Sequence, residues 1–158
     1  MDQGGASASI GSARAAAAGI ITVGVVVAVW VSVGRFAFGV GGMLAPVFLL
    51  TLGFTLGVLY VFVALAVVRA RRRGFPTRRG TWAVLIASWL LGVLLGLTIP
   101  DVTPDGWQTI VSGTAEPGLG LAIGISNPLG ILCVGSAIIA LVLANRDARG
   151  PRSFGPED

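Results

Sequence analysis

Four long apolar stretches constrain what this chain can fold into. The first runs from residue 15 to residue 34, and none of its twenty residues carries a charge. A helix needs about 20 predominantly apolar residues to cross the hydrocarbon core of a bilayer. Backbone amides have no water to bond to at that depth, so a spanning segment satisfies them internally, as a helix does. The stretch therefore predicts a transmembrane helix.

The second stretch is uncharged from residue 36 to residue 68, which is too long for a single crossing. Three glycines and Pro46 interrupt its beginning. Because glycine and proline punctuate helices, we place a loop at 35–45 and a second span at 46–68.

Two polar segments separate the remaining spans. An arginine-rich segment follows residue 68, and a segment rich in Pro-Asp and Asp-Gly turn signals covers 100–117. The predicted fold class is all-α, an integral membrane four-helix bundle with spans at about 15–34, 46–68, 82–99 and 118–144. Residues 1–14 and 146–158 are expected to form cytoplasmic tails, the first of them disordered, around a transmembrane domain at 15–145.

Composition agrees with a membrane protein. Charged residues make up 11% of the chain and hydrophobic residues 54%, whereas a soluble domain carries about 25% charged residues. So little surface charge excludes an ordinary water-soluble fold.

The distribution of arginine predicts the orientation. Arg35 lies on one side of the predicted membrane, and the other ten arginines lie on the opposite side. Short loops rich in Lys and Arg stay in the cytoplasm. We therefore expect a multi-pass plasma-membrane protein with both termini cytoplasmic and with the loops 35–45 and 100–117 outside. Arg35 is expected either to reach the lipid headgroups or to pair with an acidic residue of the 100–117 loop.

The chain lacks the residues that most site chemistries require. It has no histidine and one cysteine, which rules out the usual zinc, copper and histidine-ligated haem sites as well as Ser-His-Asp and Cys-His catalysis. No Asp, Glu, Lys, Arg or His lies in the middle of a span, where ion-coupled transporters keep an ionisable group. We expect no enzyme activity, no metal and no cofactor.

The most distinctive motif is Ser126-Asn127-Pro128, near the start of the last apolar stretch. Asn is favoured as a helix cap and Pro at the first helical position. Alternatively, one long helix begins near Gly118 and bends at Pro128, and this second interpretation is slightly favoured. Ser126 and Asn127 are the candidate solute contacts if the proline opens the helix.

The arginine-rich segment is the candidate binding surface. Its members attract anionic lipid at about 1 kcal/mol each, and the same charges suit a partner protein. Nucleic acid is not expected, because a single aromatic residue accompanies them. The candidate contacts are Arg69, Arg71, Arg72, Arg73, Arg78 and Arg79.

Small residues recur at four-residue spacing in every predicted span. Such stripes let helices approach closely in lipid, and they indicate either packing within the bundle or contacts between copies. The stripes are Gly24-Ala28-Ser32, Gly53-Gly57, Gly92-Gly96 and Gly120-Gly124.

The chain has an Ala/Gly/Val-rich first span, an arginine-rich central loop, a short acidic loop and the sequence Asn-Pro-Leu-Gly near the last span. In this layout it resembles uncharacterised small four-span membrane proteins of GC-rich Gram-positive bacteria. The resemblance concerns layout and implies no activity. We expect a non-enzymatic structural, accessory or interaction subunit, with a larger membrane-protein partner or a homo-oligomer. The alternative is an oligomeric passive channel or small transporter that uses the Ser126-Asn127-Pro128 break.

Overall fold

The computed structural model describes residues 3 to 150, with side chains from Gly11 onward. Four helical segments in this range are long and apolar enough to cross a membrane, which confirms the predicted number of spans. They are Gly11–Phe38, Ala45–Arg72, Arg79–Thr98 and Gly118–Asp147.

Five α-helices and a short hairpin make up the described chain. In order, they are α1 (Gln3–Val33), α2 (Ala45–Phe48), α3 (Phe54–Arg72), α4 (Arg79–Thr98), β1 (Asp101–Thr103), β2 (Gly106–Gln108) and α5 (Gly118–Asp147). A 3₁₀ turn, Gly34–Phe38, follows α1, and a π turn, Leu49–Gly53, joins α2 to α3.

The helix ends differ from the predicted ones at both termini. α1 begins at Gln3, so residues 3–14 are helical where a disordered tail was expected. This stretch has three glycines, which disfavour a helix, but it also has three alanines, which favour one, and no proline to end it. α5 extends to Asp147, while residues 1–2 and 151–158 of the expected tails lie outside the described part.

Pro46 and Gly74 mark the two ends of the second span. Pro46 lies in the first turn of α2, where its missing N–H costs nothing. The carbonyl of Phe48, the last residue of α2, lies 3.5 Å from the Ser32 hydroxyl of α1. At the other end, Gly74 adopts a φ of 82°, and the Phe75 amide donates to the Ala70 carbonyl at 3.0 Å. This Schellman geometry stops α3 before the polar loop.

The last span is one continuous helix through Pro128. Residues 118–126 are therefore helical and part of α5, as the favoured interpretation held, and Asn127 is not a cap. Proline has no N–H to give to the carbonyl four residues earlier, that of Gly124. At the start of α5, the Glu116 carboxylate accepts a bond from the Gly120 amide at 3.2 Å.

The four long helices form a ring in which each packs on two neighbours. α1 packs against α3 and α4, and α5 packs against the same two helices from the other side. The π turn and α2 pack on α1. The interior contains Val31, Leu56, Tyr60, Leu85, Leu95, Cys133 and Ala137, all nearly or fully buried.

Some of the small-residue stripes provide this close packing. Added side-chain atoms would collide at Gly24 with Tyr60, at Gly53 with Ser32, at Gly92 with Val27 and at Gly96 with Trp30. Gly57 and Gly124, in contrast, have open space around them. Packing inside the bundle therefore uses the α1 and α4 stripes and half of the α3 stripe, whereas the stripe on α5 faces outward.

We call the end of the bundle that carries residues 34–45 and 99–117 the hairpin end, and the opposite end, with residues 69–79 and 145–150, the arginine end. In the hairpin, Val102 pairs with Trp107 and Thr103 with Gly106. Gly106 has a φ of 102°, a conformation that glycine adopts without strain.

Candidate functional site

A buried ion pair fastens the hairpin end. Arg35 Nη1 lies 3.3 Å from Asp101 Oδ2, with side-chain exposures of 2% and 0%. The carboxylate also accepts bonds from the amides of Gly42 at 2.8 Å, Leu44 at 2.9 Å and Val102 at 2.8 Å. Of the two expectations for Arg35, pairing with an acidic residue of the loop is the observed one.

The Arg35 guanidinium holds further parts of this end. Its Nη1 donates to the Pro100 carbonyl at 3.1 Å, and its Nη2 donates to the Val31 carbonyl at 3.2 Å. Its central carbon lies 4.7 Å from the centre of the Phe48 ring, a cation–π distance. One cation therefore joins α1, α2 and the segment that leaves α4.

A second polar cluster lies in the middle of the bundle. The Tyr60 hydroxyl of α3 lies 2.9 Å from the Ser88 hydroxyl of α4. Ser88 also donates to the Cys133 carbonyl of α5 at 3.0 Å, and the Cys133 thiol donates back to the Ser88 carbonyl at 3.4 Å. All three residues are buried. Their polar atoms are engaged with one another, so this cluster joins three helices rather than opening a site.

An apolar groove of about 690 Å³ runs along α5 near the hairpin end. Leu95 of α4 and Ile99, which follows α4, line it between α5 on one side and residues 45–53 on the other. Because that segment packs on α1, it leaves this space beside α5. The lining also includes Phe48, Leu52, Pro100, Ile123, Ser126, Asn127, Gly130, Ile131, Val134, Gly135 and Ile138.

The two candidate solute contacts both line this groove, but their side chains differ in burial and in hydrogen bonding. The Ser126 hydroxyl is buried and engaged with the Thr98 carbonyl at 2.7 Å and with the Ala122 carbonyl at 2.8 Å. Asn127 is exposed, and its amide makes no hydrogen bond with any residue of the described part. The groove thus presents one open polar group, the Asn127 amide.

The six candidate arginines of the arginine end are held differently. Arg71 donates to the Ser12 hydroxyl at 3.2 Å and is partly buried. Arg78 lies 3.6 Å from the Asp147 carboxylate. Arg72 and Arg79 are exposed. The sequence placed all six in one group, whereas in the structure they differ in their hydrogen-bond and ion-pair partners.

Arg69 is held by α5, and Arg73 is held by the residue that follows α5. Arg69 Nη1 donates to Asn145 Oδ1 at 3.2 Å, and Arg73 Nη1 donates to the Ala148 carbonyl at 3.1 Å. Together with Arg72, Leu65 and Val68, they line a recess of about 440 Å³, which we call the arginine recess.

Asp147 does not enter the arginine recess. Its carboxylate accepts the Arg78 amide at 3.1 Å and the Thr81 hydroxyl at 2.7 Å. It therefore caps the N-terminus of α4, where a negative charge is favourable.

Sequence reasoning missed the groove, the hairpin and the roles of Asn145 and Asp147. The Pro104-Asp105-Gly106 turn between short β-prone residues was a readable signal for the hairpin. The groove had no such signal, because it arises where two segments far apart in sequence diverge. Within the described residues, no group of three or more His, Cys, Asp or Glu side chains is arranged to hold a metal.

A scan against protein-family models finds no match for this chain. Searches of curated proteins and of solved structures find none either.

Proposed function

We propose that this protein is a non-enzymatic accessory subunit of the bacterial plasma membrane, with both termini in the cytoplasm, that docks a transmembrane helix of a larger membrane protein. The observation that carries the proposal is the apolar groove beside α5 with the open Asn127 amide at its edge.

The use of the interior polar groups supports a structural role. Arg35 with Asp101, Tyr60 with Ser88, and Ser126 with Thr98 each join separate segments of the chain. Side chains so engaged stabilise the bundle, and they present no open group to a reacting or transported molecule.

The composition of the groove favours a helix as the occupant. Gly130 and Gly135 line it from α5, and small residues let a second helix approach closely in a membrane. The Asn127 amide offers donors and an acceptor that a side chain of another helix can bond, whereas an alkyl chain has no such group.

The concave shape favours a different protein over a second copy of this chain. A two-fold symmetric interface would set the groove against the same groove. The space of about 690 Å³ would then remain unfilled on both sides, and unfilled space forfeits packing energy.

Site-specific photo-cross-linking in cells tests this proposal. A photoreactive residue at Ile131, which lines the groove and is 74% exposed, should capture a larger membrane protein. The same residue at Val26 of α1, which is 61% exposed and away from the groove, is the matched control and should not.

Filling the groove provides the second control. A Cβ atom at Gly130 would meet only Leu95, at an ordinary contact distance of 3.9 Å. We therefore expect Gly130→Leu to fold, to place its side chain in the groove and to abolish the adduct. Gly124→Leu, in open space outside the groove, should keep it. Adducts with lipid alone would refute the proposal. Adducts with a second copy alone would favour the channel or transporter instead, with Asn127 as the next residue to change.

A further inference from the structure

The arginine recess combines three positive charges with an apolar wall. Leu65, Val68, Arg69 and Arg72 recur at three- and four-residue spacing, so they share one face of α3, and Arg73 follows at its end. The apolar pair lies towards the middle of the bundle and the guanidinium groups towards its end.

We propose that the arginine recess is a binding site for one anionic phospholipid, whose phosphate lies between Arg69, Arg72 and Arg73 and whose acyl chain lies along Leu65 and Val68. This inference goes beyond the proposed function, because it concerns a different face of the bundle and does not require a docked partner protein.

The positions of two guanidinium groups are set by α5 and by the residue that follows it. Asn145 Nδ2 donates to the Leu141 carbonyl at 2.9 Å, which orients its oxygen towards Arg69. The Ala148 carbonyl holds Arg73. Each of these contacts uses a single Nη1 atom, so the other donors of both guanidinium groups remain for a phosphate, which arginine binds with two parallel hydrogen bonds.

No carboxylate of the described residues neutralises the charge of the recess. Across residues 11–150, neither Arg69, Arg72 nor Arg73 has a carboxylate within ion-pair distance. Asp147 lies next to Ala148 in sequence but bonds to Thr81 and to the Arg78 amide. An anion from outside the bundle therefore meets three cations that no carboxylate of residues 11–150 pairs with.

The other arginines of residues 69–79 lack this geometry. Arg71 is bonded to Ser12, Arg78 is paired with Asp147, and Arg79 does not line the recess. The apolar wall distinguishes a lipid from a free phosphate or an acidic peptide, because it continues the site to the depth of the acyl chains.

Lipid binding by the full chain in mild detergent tests the proposal. Retention of added phosphatidylglycerol and phosphatidylcholine is measured by intact-complex mass spectrometry. We expect the first phosphatidylglycerol to bind much more tightly than phosphatidylcholine. The variant Arg69→Gln/Arg72→Gln/Arg73→Gln should weaken it about a hundredfold, since each arginine near an anionic lipid contributes roughly a fivefold factor.

The matched control is Arg14→Gln/Arg79→Gln/Arg149→Gln, which removes the same charge from three exposed arginines outside the recess. It should leave binding nearly unchanged. Arg72→Gln alone covers the case in which the triple variant fails to fold, because the Arg72 side chain makes no hydrogen bond in the described part. It should weaken binding about fivefold while Arg79→Gln does not.

Three results would overturn the proposal. Equal weakening by both triple variants would indicate general attraction to the basic end. Displacement of the lipid by an excess of inorganic phosphate would indicate a phosphate site without a role for the chains. Unchanged lipid binding together with loss of a co-purifying protein in the recess variant would assign the surface to a partner protein.

Discussion

Removal of the Asp101 carboxylate should destabilise the bundle more than removal of either other carboxylate of the 100–117 loop, that of Asp105 or Glu116. Asp101 is fully buried, and it faces Arg35 and three backbone amides. Asp101→Ala leaves the buried Arg35 cation without its counter-charge. Breaking a buried pair in this way costs about 3–5 kcal/mol, a large part of the 5–15 kcal/mol typical of a whole domain.

The assay is equilibrium unfolding of the purified chain in mixed detergent micelles, followed by circular dichroism. The control is Asp105→Ala in the same loop, because Asp105 is exposed and its side chain has no bond within residues 11–150. Its effect should stay within about 0.5 kcal/mol.

A double variant separates the ion pair from the amide bonds. Arg35→Met/Asp101→Ala removes the stranded cation, so it should be more stable than the sum of the two single effects predicts, by about 1–3 kcal/mol. If Asp101→Ala unfolds at the same detergent fraction as Asp105→Ala, the ion pair does not hold the hairpin end and this reasoning fails.

Three further substitutions test the packing and the helix ends. Gly53→Ala should cost about 1–3 kcal/mol, because the added carbon meets Ser32, whereas Gly57→Ala has open space and should be tolerated; detergent unfolding compares the two. Ser88→Ala should cost about 1–3 kcal/mol, since it leaves the buried Tyr60 hydroxyl without a partner, and its control is Thr114→Ala at the hairpin end, because Thr114 is exposed and its side chain makes no hydrogen bond in the described part. Asp147→Ala should lower stability by about 1 kcal/mol and increase amide exchange in the first turn of α4, which it caps; unchanged exchange there would contradict the capping role.

The sequence by itself determined the class of the molecule and the number of its long helices. Both depend on local properties: the length of an uncharged stretch and the absence of charges within it. The same local signals placed loops at 35–45 and 100–117, close to where the helices end. They failed at the first helix, where the small and polar residues before residue 15 extend α1 without being apolar.

Only the tertiary structure decided which partner each polar or small residue meets. The sequence allowed Arg35 to pair with any of three acidic residues in the 100–117 loop. The contact between Arg35 and the Pro100 carbonyl brings Asp101 next to the guanidinium group, so Asp101 is the partner. The glycine stripes looked alike in sequence, yet Gly96 packs on Trp30 while Gly124 faces outward.

The physical reason is the rotation of each helix about its axis. In these helices apolar residues surround the whole circumference, so hydropathy does not mark the buried face. Contacts between segments far apart in sequence fix that rotation, and they create both the groove beside α5 and the arginine recess.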